Sequence, residues 1–233
     1  MLLEQRAGGG GKVSVLTRNE RFNRLLQAIL EEWHFITDAG AASLDILLLE
    51  RGLPAPEGAH HIVWLTPMPL GTEAHLEVPL SLTALYHLLE KQFFVEPRHH
   101  IRLPVDLPVD LNVRGVWLVG RMLSISDRGA RITCPALLPK REQIQLDFKL
   151  ENYPLRVSAD VLYEIPAGDG SGREHPQAGL VFHSLKPALG QALRRFIERS
   201  FVDLGCSKSG ISPIDPCLSW LDLNRTNWTT LDL

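Results

Sequence analysis

LPVDLPVDLNV, residues 103–113, alternates without a break. Leu103, Val105, Leu107, Val109, Leu111 and Val113 are apolar, and Pro, Asp, Pro, Asp and Asn fill the even positions. Successive strand residues point to opposite faces, so this period of two marks a strand with one buried and one wet face. Pro104 and Pro108 fall on the wet face and cannot donate to a ladder, which places at least part of the strand at a sheet edge. The alternation returns in IQLDFKL (144–150) and in LRVSADVLYEI (155–165), where Leu155, Val157, Ala159, Val161, Tyr163 and Ile165 share one face. AGLVFHSL (178–185) reads as a further strand. Several such strands, separated by Gly, Pro and Asp turns, predict a small antiparallel barrel. A helix closes it, with Pro187 near its start and Leu189, Leu193, Phe196 and Ile197 on one face.

Upstream the pattern is different. KVSVLT (12–17) and LDILLLE (44–50) are continuous apolar runs, as expected of strands buried on both faces, and HIVWLTP (61–67) is another. HFIT (34–37) reads as a short strand. Asn19 is placed to cap a helix whose stripe is Phe22, Leu25, Leu26, Ile29, Leu30 and Trp33. SLTALYHLLEKQFF (81–94) gives a second helix, with Leu82, Leu85, Leu88 and Leu89 facing inward. Strands alternating with helices predict a parallel sheet. The expected fold class is therefore two-domain: an N-terminal α/β domain followed by a C-terminal antiparallel β-barrel with a closing helix. The expected divisions are a flexible glycine leader at 1–11, the α/β domain at 12–94, the barrel domain at 95–203 with a linker at 95–103, and a disordered tail at 204–233. The tail carries Trp220 and Trp228 but no sustained period.

The composition is that of a globular protein: 233 residues, 45% hydrophobic, 22% charged, formal net charge −3. An acidic balance argues against bulk binding to nucleic acid. The balance is uneven, however. Residues 95–203 hold 15 Lys/Arg against 13 Asp/Glu, and the remainder holds 9 against 14. A mildly basic second part suits a small anionic ligand. Cys134, Cys206 and Cys217 form no CxxC pair, which fits a reducing compartment and supplies no metal site. No apolar run approaches the roughly 20 residues of a membrane span. The expectation is a cytoplasmic protein.

Chemistry concentrates at the barrel entrance. VEPRHHIR (95–102) places Arg98 and Arg102 four residues apart, with His99 and His100 between them. One hairpin later, MLSISDRGARI (122–132) sets Ser124, Ser126 and Gly129 in the pattern S-x-S-x-x-G. Residues i and i+2 of a strand share a face, so the two hydroxyls are expected on one side, and Gly129 allows a turn or close approach.

R-x-x-x-R in a linker, then S-x-x-G across a tight turn, then the G-x-x-F of Gly179 and Phe182 and a closing helix, resembles the PilZ domain over about residues 96–201. That resemblance implies binding of the bacterial second messenger cyclic di-GMP. Arginine pairs bidentately with phosphate and with the O6/N7 edge of guanine, and stacks on bases, so the implied chemistry agrees with the residues. The implied ligand site is Arg98, Arg102, Ser124, Ser126 and Gly129, with His99 close by. The family carries Asp or Asn where this chain has Ser124, so one guanine contact is expected to be lost or bridged by water. Asp127 stands next door, but its side chain is expected to point the other way. Since the linker also joins the two domains, ligand binding is expected to change their relation.

The first domain resembles a response-regulator receiver with its chemistry removed. Glu50 stands where that family has its phosphorylated Asp, and Thr66 where it keeps Thr or Ser. Thr17 and Arg18 replace the metal-binding acids, and Val78 precedes Pro79 where a Lys is usual. Without the acids no Mg²⁺ is held, and phosphoryl transfer lacks its charge neutralisation. The expectation is a pseudo-receiver used for contact with a downstream protein.

Other chemistry finds no support. The pairs His60–His61 and His99–His100 are adjacent residues, which point apart in extended chain and chelate poorly. GDGSG (168–172) reads as a hairpin turn rather than a phosphate loop. No nucleophile–base pair, cofactor motif or metal motif is present. The reading is a non-enzymatic cyclic di-GMP effector whose resemblance implies control of motility, exopolysaccharide or biofilm. A homodimer is compatible with it. The alternative is a PilZ-like adaptor that binds no nucleotide, and a third reading is a phosphorylation-driven regulator.

Overall fold

A computed structural model describes residues 11–37, 45–59, 61–68, 71, 73–168, 174–183 and 185–223. The leader, the end of the tail and most of GDGSG lie outside the described residues. Contacts divide the chain between His99 and His100, and again between Ile197 and Glu198, giving two compact units.

The first unit holds a four-stranded parallel sheet in the order β1 (Val13–Leu16), β2 (Ile46–Glu50), β3 (Ile62–Thr66) and β4 (His75–Glu77). The expected strand at 34–37 is a single parallel bridge, Lys12 to Ile36, beyond β1. Counted as a strand second in sequence, it makes the order 2-1-3-4-5, that of flavodoxin-like sheets. Helix α1 (Glu20–Glu32) starts where Asn19 Oδ1 accepts from Phe22 N at 3.1 Å. Phe22, Leu25, Leu26, Ile29 and Leu30 are wholly buried, as the spacing requires. Ser81 caps α2 (Leu82–Phe93) in the same way. Full burial of each such side chain contributes about 1.5–3 kcal/mol.

The second unit is a closed antiparallel barrel in the order β10-β7-β6-β5-β8-β9. Its strands are β5 (Leu103–Val113), β6 (Val116–Ile125), β7 (Gly129–Thr133), β8 (Gln143–Leu150), β9 (Tyr153–Ile165) and β10 (Gln177–Phe182). Two turns set the hairpins. Arg114 and Gly115 join β5 to β6, and Glu151 and Asn152 join β8 to β9, all four with positive φ. A two-residue loop with both φ positive matches the twist of the strands it joins. β5 pairs with β6 along its length but with β8 only from Val109 to Asn112. Pro104 and Pro108 therefore lie in the half with one neighbour, as expected.

Two expectations are corrected. Tyr163 and Ile165 do not share the inward face with Val161. The β9–β10 register shifts at Gly179/Leu180, and Leu162 is the extra residue. A bulge of one residue turns everything beyond it to the other face. The second correction concerns the tail. The last helix, α3, runs Pro187–Ser209, and only its first half, to Ile197, belongs to the barrel unit. From Glu198 on it belongs to the first unit, where Phe201, Val202 and Cys206 are buried. Residues 210–223 are ordered there as well. A 3-10 turn covers Pro216–Trp220, Trp220 lies against Phe22, and Leu221 bridges to Leu80. No period was legible because this segment is held by isolated anchors rather than by one continuous face.

No helix among the described residues is long and apolar enough to cross a membrane.

Candidate functional site

The S-x-x-G corner is a tight turn between β6 and β7. Ser126 N donates to Gly129 O at 2.8 Å, Ser126 Oγ donates to the same carbonyl at 3.2 Å, and Arg128 N donates to Ser126 Oγ at 3.3 Å. Ser126 is buried, so its hydroxyl builds the turn. Gly129 is required for packing: a Cβ there would stand 2.1 Å from the Leu180 carbonyl oxygen on β10.

Ser124 lies on the outward face of β6, directly opposite Arg131 on β7 and Pro104 on β5. Arg131 is in turn opposite Gly179, and Gly179 opposite Tyr163. Directly opposed residues share a face. One outward row therefore reads Pro104, Ser124, Arg131, Gly179, Tyr163 across four strand pairs. The rows on either side turn inward, with Leu103, Ile125, Ala130 and Leu180 in one and Met122, Ile132 and Ala178 in the other, all buried. The Tyr163 ring covers Gly179, 2.2 Å from where a Cβ would be. Register shifts flank this row on β5, β6 and β9. One row further along, Arg121 beside Asp106 holds that carboxyl below the usual carboxylate range.

The arginine-bearing segment falls on both sides of the division at His99. In the first unit, Arg98 N donates to the Glu90 carboxylate at 2.7 Å, and the His99 carbonyl accepts from His87 Nε2 at 2.5 Å. Those two contacts hold residues 98–99 to α2, which is why the division falls later than Phe94. In the barrel unit, Arg102 is exposed and has no ion-pair partner among the described residues. It sits one residue before β5, between buried Ile101 and Leu103.

Asp127 points away from the outward row, as expected. It is buried, with Arg194 Nη2 at 2.9 Å and Nε at 3.2 Å on one oxygen and His100 Nδ1 at 2.8 Å on the other. Of the two histidines between the arginines, His100 is the one fixed to the S-x-x-G turn. Arg131 becomes a neighbour of Ser124 only across the strand register, which motif spacing does not show. An open groove of about 1140 Å³ runs along β5, β8 and β9 elsewhere on the barrel, and none of Ser124, Arg131, Gly179 or Tyr163 lines it. No cluster of three metal-ligating side chains occurs among the described residues.

The closed six-stranded barrel, its closing helix and its S-x-x-G corner meet a family model for the PilZ domain, which matches residues 96–199. Residues 96–199 are a PilZ domain. The match takes in Arg98, Arg102, Ser124, Ser126, Gly129 and Arg131. No curated protein matches the chain. Among solved structures, the PilZ-containing chain is similar to the Bacillus subtilis inhibitor of motility MotI/DgrA, with 16% identity, 47% of this chain and 53% of that one covered, and a TM-score of 0.41. It is similar to Escherichia coli YcgR in complex with c-di-GMP, with 16% identity, 50% and 51% covered, and a TM-score of 0.43. It is similar to the K. pneumonia MrkH–c-di-GMP complex, with 17% identity, 50% and 56% covered, and a TM-score of 0.39. The chain spans about half the length of each of these three.

In the first unit, the position expected for a phosphorylated Asp is closed by a cation. Arg18 N donates to Glu50 Oε2 at 2.7 Å, Arg18 Nη1 lies 3.3 Å from Glu50 Oε1, and Arg18 Nη2 donates to the Gly52 carbonyl at 3.2 Å. Thr66 Oγ1 donates to the Met68 carbonyl at 3.0 Å.

Proposed function

We propose that the chain is a non-enzymatic, cytoplasmic cyclic di-GMP effector. Arg98 and Arg102 take phosphate and guanine, Ser124 touches guanine, and Ser126 and Gly129 shape the corner against which the ligand lies. His99 is near the ligand. One observation carries the reading. Arg102, inside the PilZ match, is an exposed guanidinium next to an outward-facing Ser124 row, and it has no carboxylate partner among the described residues. A guanidinium of this kind offers a planar fork to phosphate or to the O6/N7 edge of guanine.

In this reading the two arginines lie on the segment that connects the units, so capture of the ligand reorganises that connection. The output is contact of the first unit, read as a pseudo-receiver, with a downstream protein in motility, exopolysaccharide or biofilm control. The Arg18–Glu50 pair supports the pseudo-receiver, because a guanidinium occupies the carboxylate that phosphoryl chemistry would need.

A second reading has its own observation. Ser126 spends its hydroxyl within the turn and Ser124 is short, while Val116, Trp117 and Val119 are exposed on the β5–β6 hairpin. These features favour an adaptor that works through protein contacts without nucleotide. Calorimetric titration of the full chain with cyclic di-GMP separates the two. The effector reading expects heat, and a loss of affinity of about ten- to a hundredfold in Arg102→Ala and in Arg98→Ala. That range follows from the roughly 1.5–3 kcal/mol of a hydrogen bond to a charged group. No heat from the wild-type protein sinks the effector and leaves the adaptor.

A further inference from the structure

The outward row contains a cation that motif spacing does not single out. Arg131 projects from the middle of the row, with Ser124 on one side and Gly179 on the other. Its Nε is fully buried and has no hydrogen-bond partner. Its guanidinium meets no carboxylate among the described residues. Buried donors are nearly always satisfied, so the orphaned Nε marks a guanidinium that no protein acceptor holds, on a residue that is itself only half-buried. Other outward arginines of the barrel contrast with it: Arg114, Arg121 and Arg156 each pair with a carboxylate.

The neighbours define what kind of acceptor fits. Gly179 has no side chain, which leaves room for the Tyr163 ring that lies over its backbone. A hydroxyl, a planar fork and an aromatic ring in one line suit a flat heterocycle better than a tetrahedral anion. A phosphate site would want free backbone N–H groups. Here Ser124, Arg131, Gly179 and Tyr163 all sit in ladder pairings on β6, β7, β10 and β9, where main-chain groups are engaged. The buried Nε also fixes the guanidinium close to the sheet, which favours a rigid planar edge over a mobile phosphate.

We propose that Arg131 reads the O6/N7 edge of one guanine of the cyclic dinucleotide, with Tyr163 as its stacking neighbour. Base discrimination then draws on the sheet as well as on the connecting segment, whose arginines also hold the phosphates. The proposal rests on the cyclic di-GMP reading above and names the residue that selects guanine there. Ser124 is too short to reach across a base edge alone, and the residue directly opposite supplies the reach that serine lacks.

The test is a titration series on the full chain with cyclic di-GMP and its 7-deazaguanine analogue, which lacks the N7 acceptor. The proteins are wild type, Arg131→Ala, Arg131→Lys and Arg102→Ala, each checked for folding by its circular dichroism melt. Wild type is expected to bind the deaza analogue about tenfold more weakly than cyclic di-GMP. Arg131→Ala is expected to bind cyclic di-GMP about tenfold more weakly and to show no further loss with the analogue. Arg131→Lys keeps the charge without the fork, and it too is expected to lose the N7 dependence, which keeps the test sharp should the alanine variant unfold. An equal penalty for the analogue in wild type and in both Arg131 variants overturns the proposal. So does unchanged affinity of the Arg131 variants for cyclic di-GMP alongside lost affinity in Arg102→Ala, and that pattern leaves the effector reading standing. Absence of binding by wild type removes both.

Discussion

Arg18 in the first unit and Arg131 and Arg102 in the barrel unit stand in opposite states. In the parallel sheet, Arg18 is consumed: it engages Glu50 through its backbone N–H and its guanidinium and also holds the Gly52 carbonyl. On the barrel, Arg131 and Arg102 have no carboxylate among the described residues. The first sits at the carboxyl end of a parallel strand, where ligands of open α/β sheets bind, and Arg131 sits on an outward row of the barrel beside a tight turn. A neutralised charge marks a site that has stopped exchanging partners. The buried Arg131 Nε bears desolvation without a partner, whereas exposed Arg102 keeps its water and can exchange it for a ligand oxygen. The contrast is physical, and it can be broken at several points.

The largest expected effect falls on the corner that shapes the barrel site. In Gly129→Ala, the new methyl group would meet a backbone oxygen 2.1 Å away, and neither strand can give way without breaking the ladder between β7 and β10. Overpacking against backbone costs about 1–3 kcal/mol or more. A drop of that size in denaturant unfolding of the full chain is expected. If Gly129→Ala melts like wild type, the close approach of β7 to β10 is wrong, and with it the outward row.

Next in size is the carboxylate that fastens the linker side of the site. Asp127 is buried and holds both His100 and Arg194. Its removal in Asp127→Ala takes this carboxylate from both partners, but Arg194 is 47% exposed and can turn to water. The expected loss is therefore moderate, about 1–3 kcal/mol, the range for a broken hydrogen bond to a charged group. His100 stands two residues before Arg102, so the same variant is expected to weaken cyclic di-GMP binding severalfold, with Asp127→Asn intermediate. Full affinity in Asp127→Ala would show that this anchor does nothing to position the segment.

These predictions use features with unequal legibility in the sequence. The barrel was readable because its inward side chains obey a period of two, and Leu103, Val109 and Leu111 are buried as the period demands. The turn motif was readable because S-x-x-G is local. What escaped was whatever depends on register. Tyr163 follows the apolar period in sequence, yet one extra residue at Leu162 turns it outward over Gly179. Arg131 and Ser124 are seven residues apart along the chain but directly opposite in the ladder, and only strand pairing makes them neighbours. Asp127 was read with the correct direction, since alternation sends it away from Ser126, but its partner on α3 is 67 residues distant. The ordered segment at 210–223 escaped for a related reason: Trp220 packs on Phe22, and Arg21 pairs with Asp215, contacts that no local pattern announces.

The smallest effect belongs to the first unit, and it tests the closed half of the comparison. Arg18 is 63% exposed, so its pairing with Glu50 is solvent-screened, and pairs of this kind contribute about 0–1 kcal/mol. Glu50→Gln is expected to shift the unfolding midpoint barely, to leave cyclic di-GMP affinity unchanged, and to leave the protein as inert to acetyl phosphate as the wild type. The decisive variant is Glu50→Asp, which supplies the residue type that receivers phosphorylate. If Arg18 is the reason the site is closed, radiolabelled acetyl phosphate and Mg²⁺ should still transfer nothing to Glu50→Asp. The guanidinium lies against the carboxylate at position 50, and Thr17 beside it spends its hydroxyl on Asn23 at 2.7 Å. Label appearing in Glu50→Asp alone would mean that only the acceptor had been lost and that the cation was incidental. Charge neutralisation would then no longer separate the two regions, and the unpaired arginines of the barrel would lose their contrast with it as a mark of an open site.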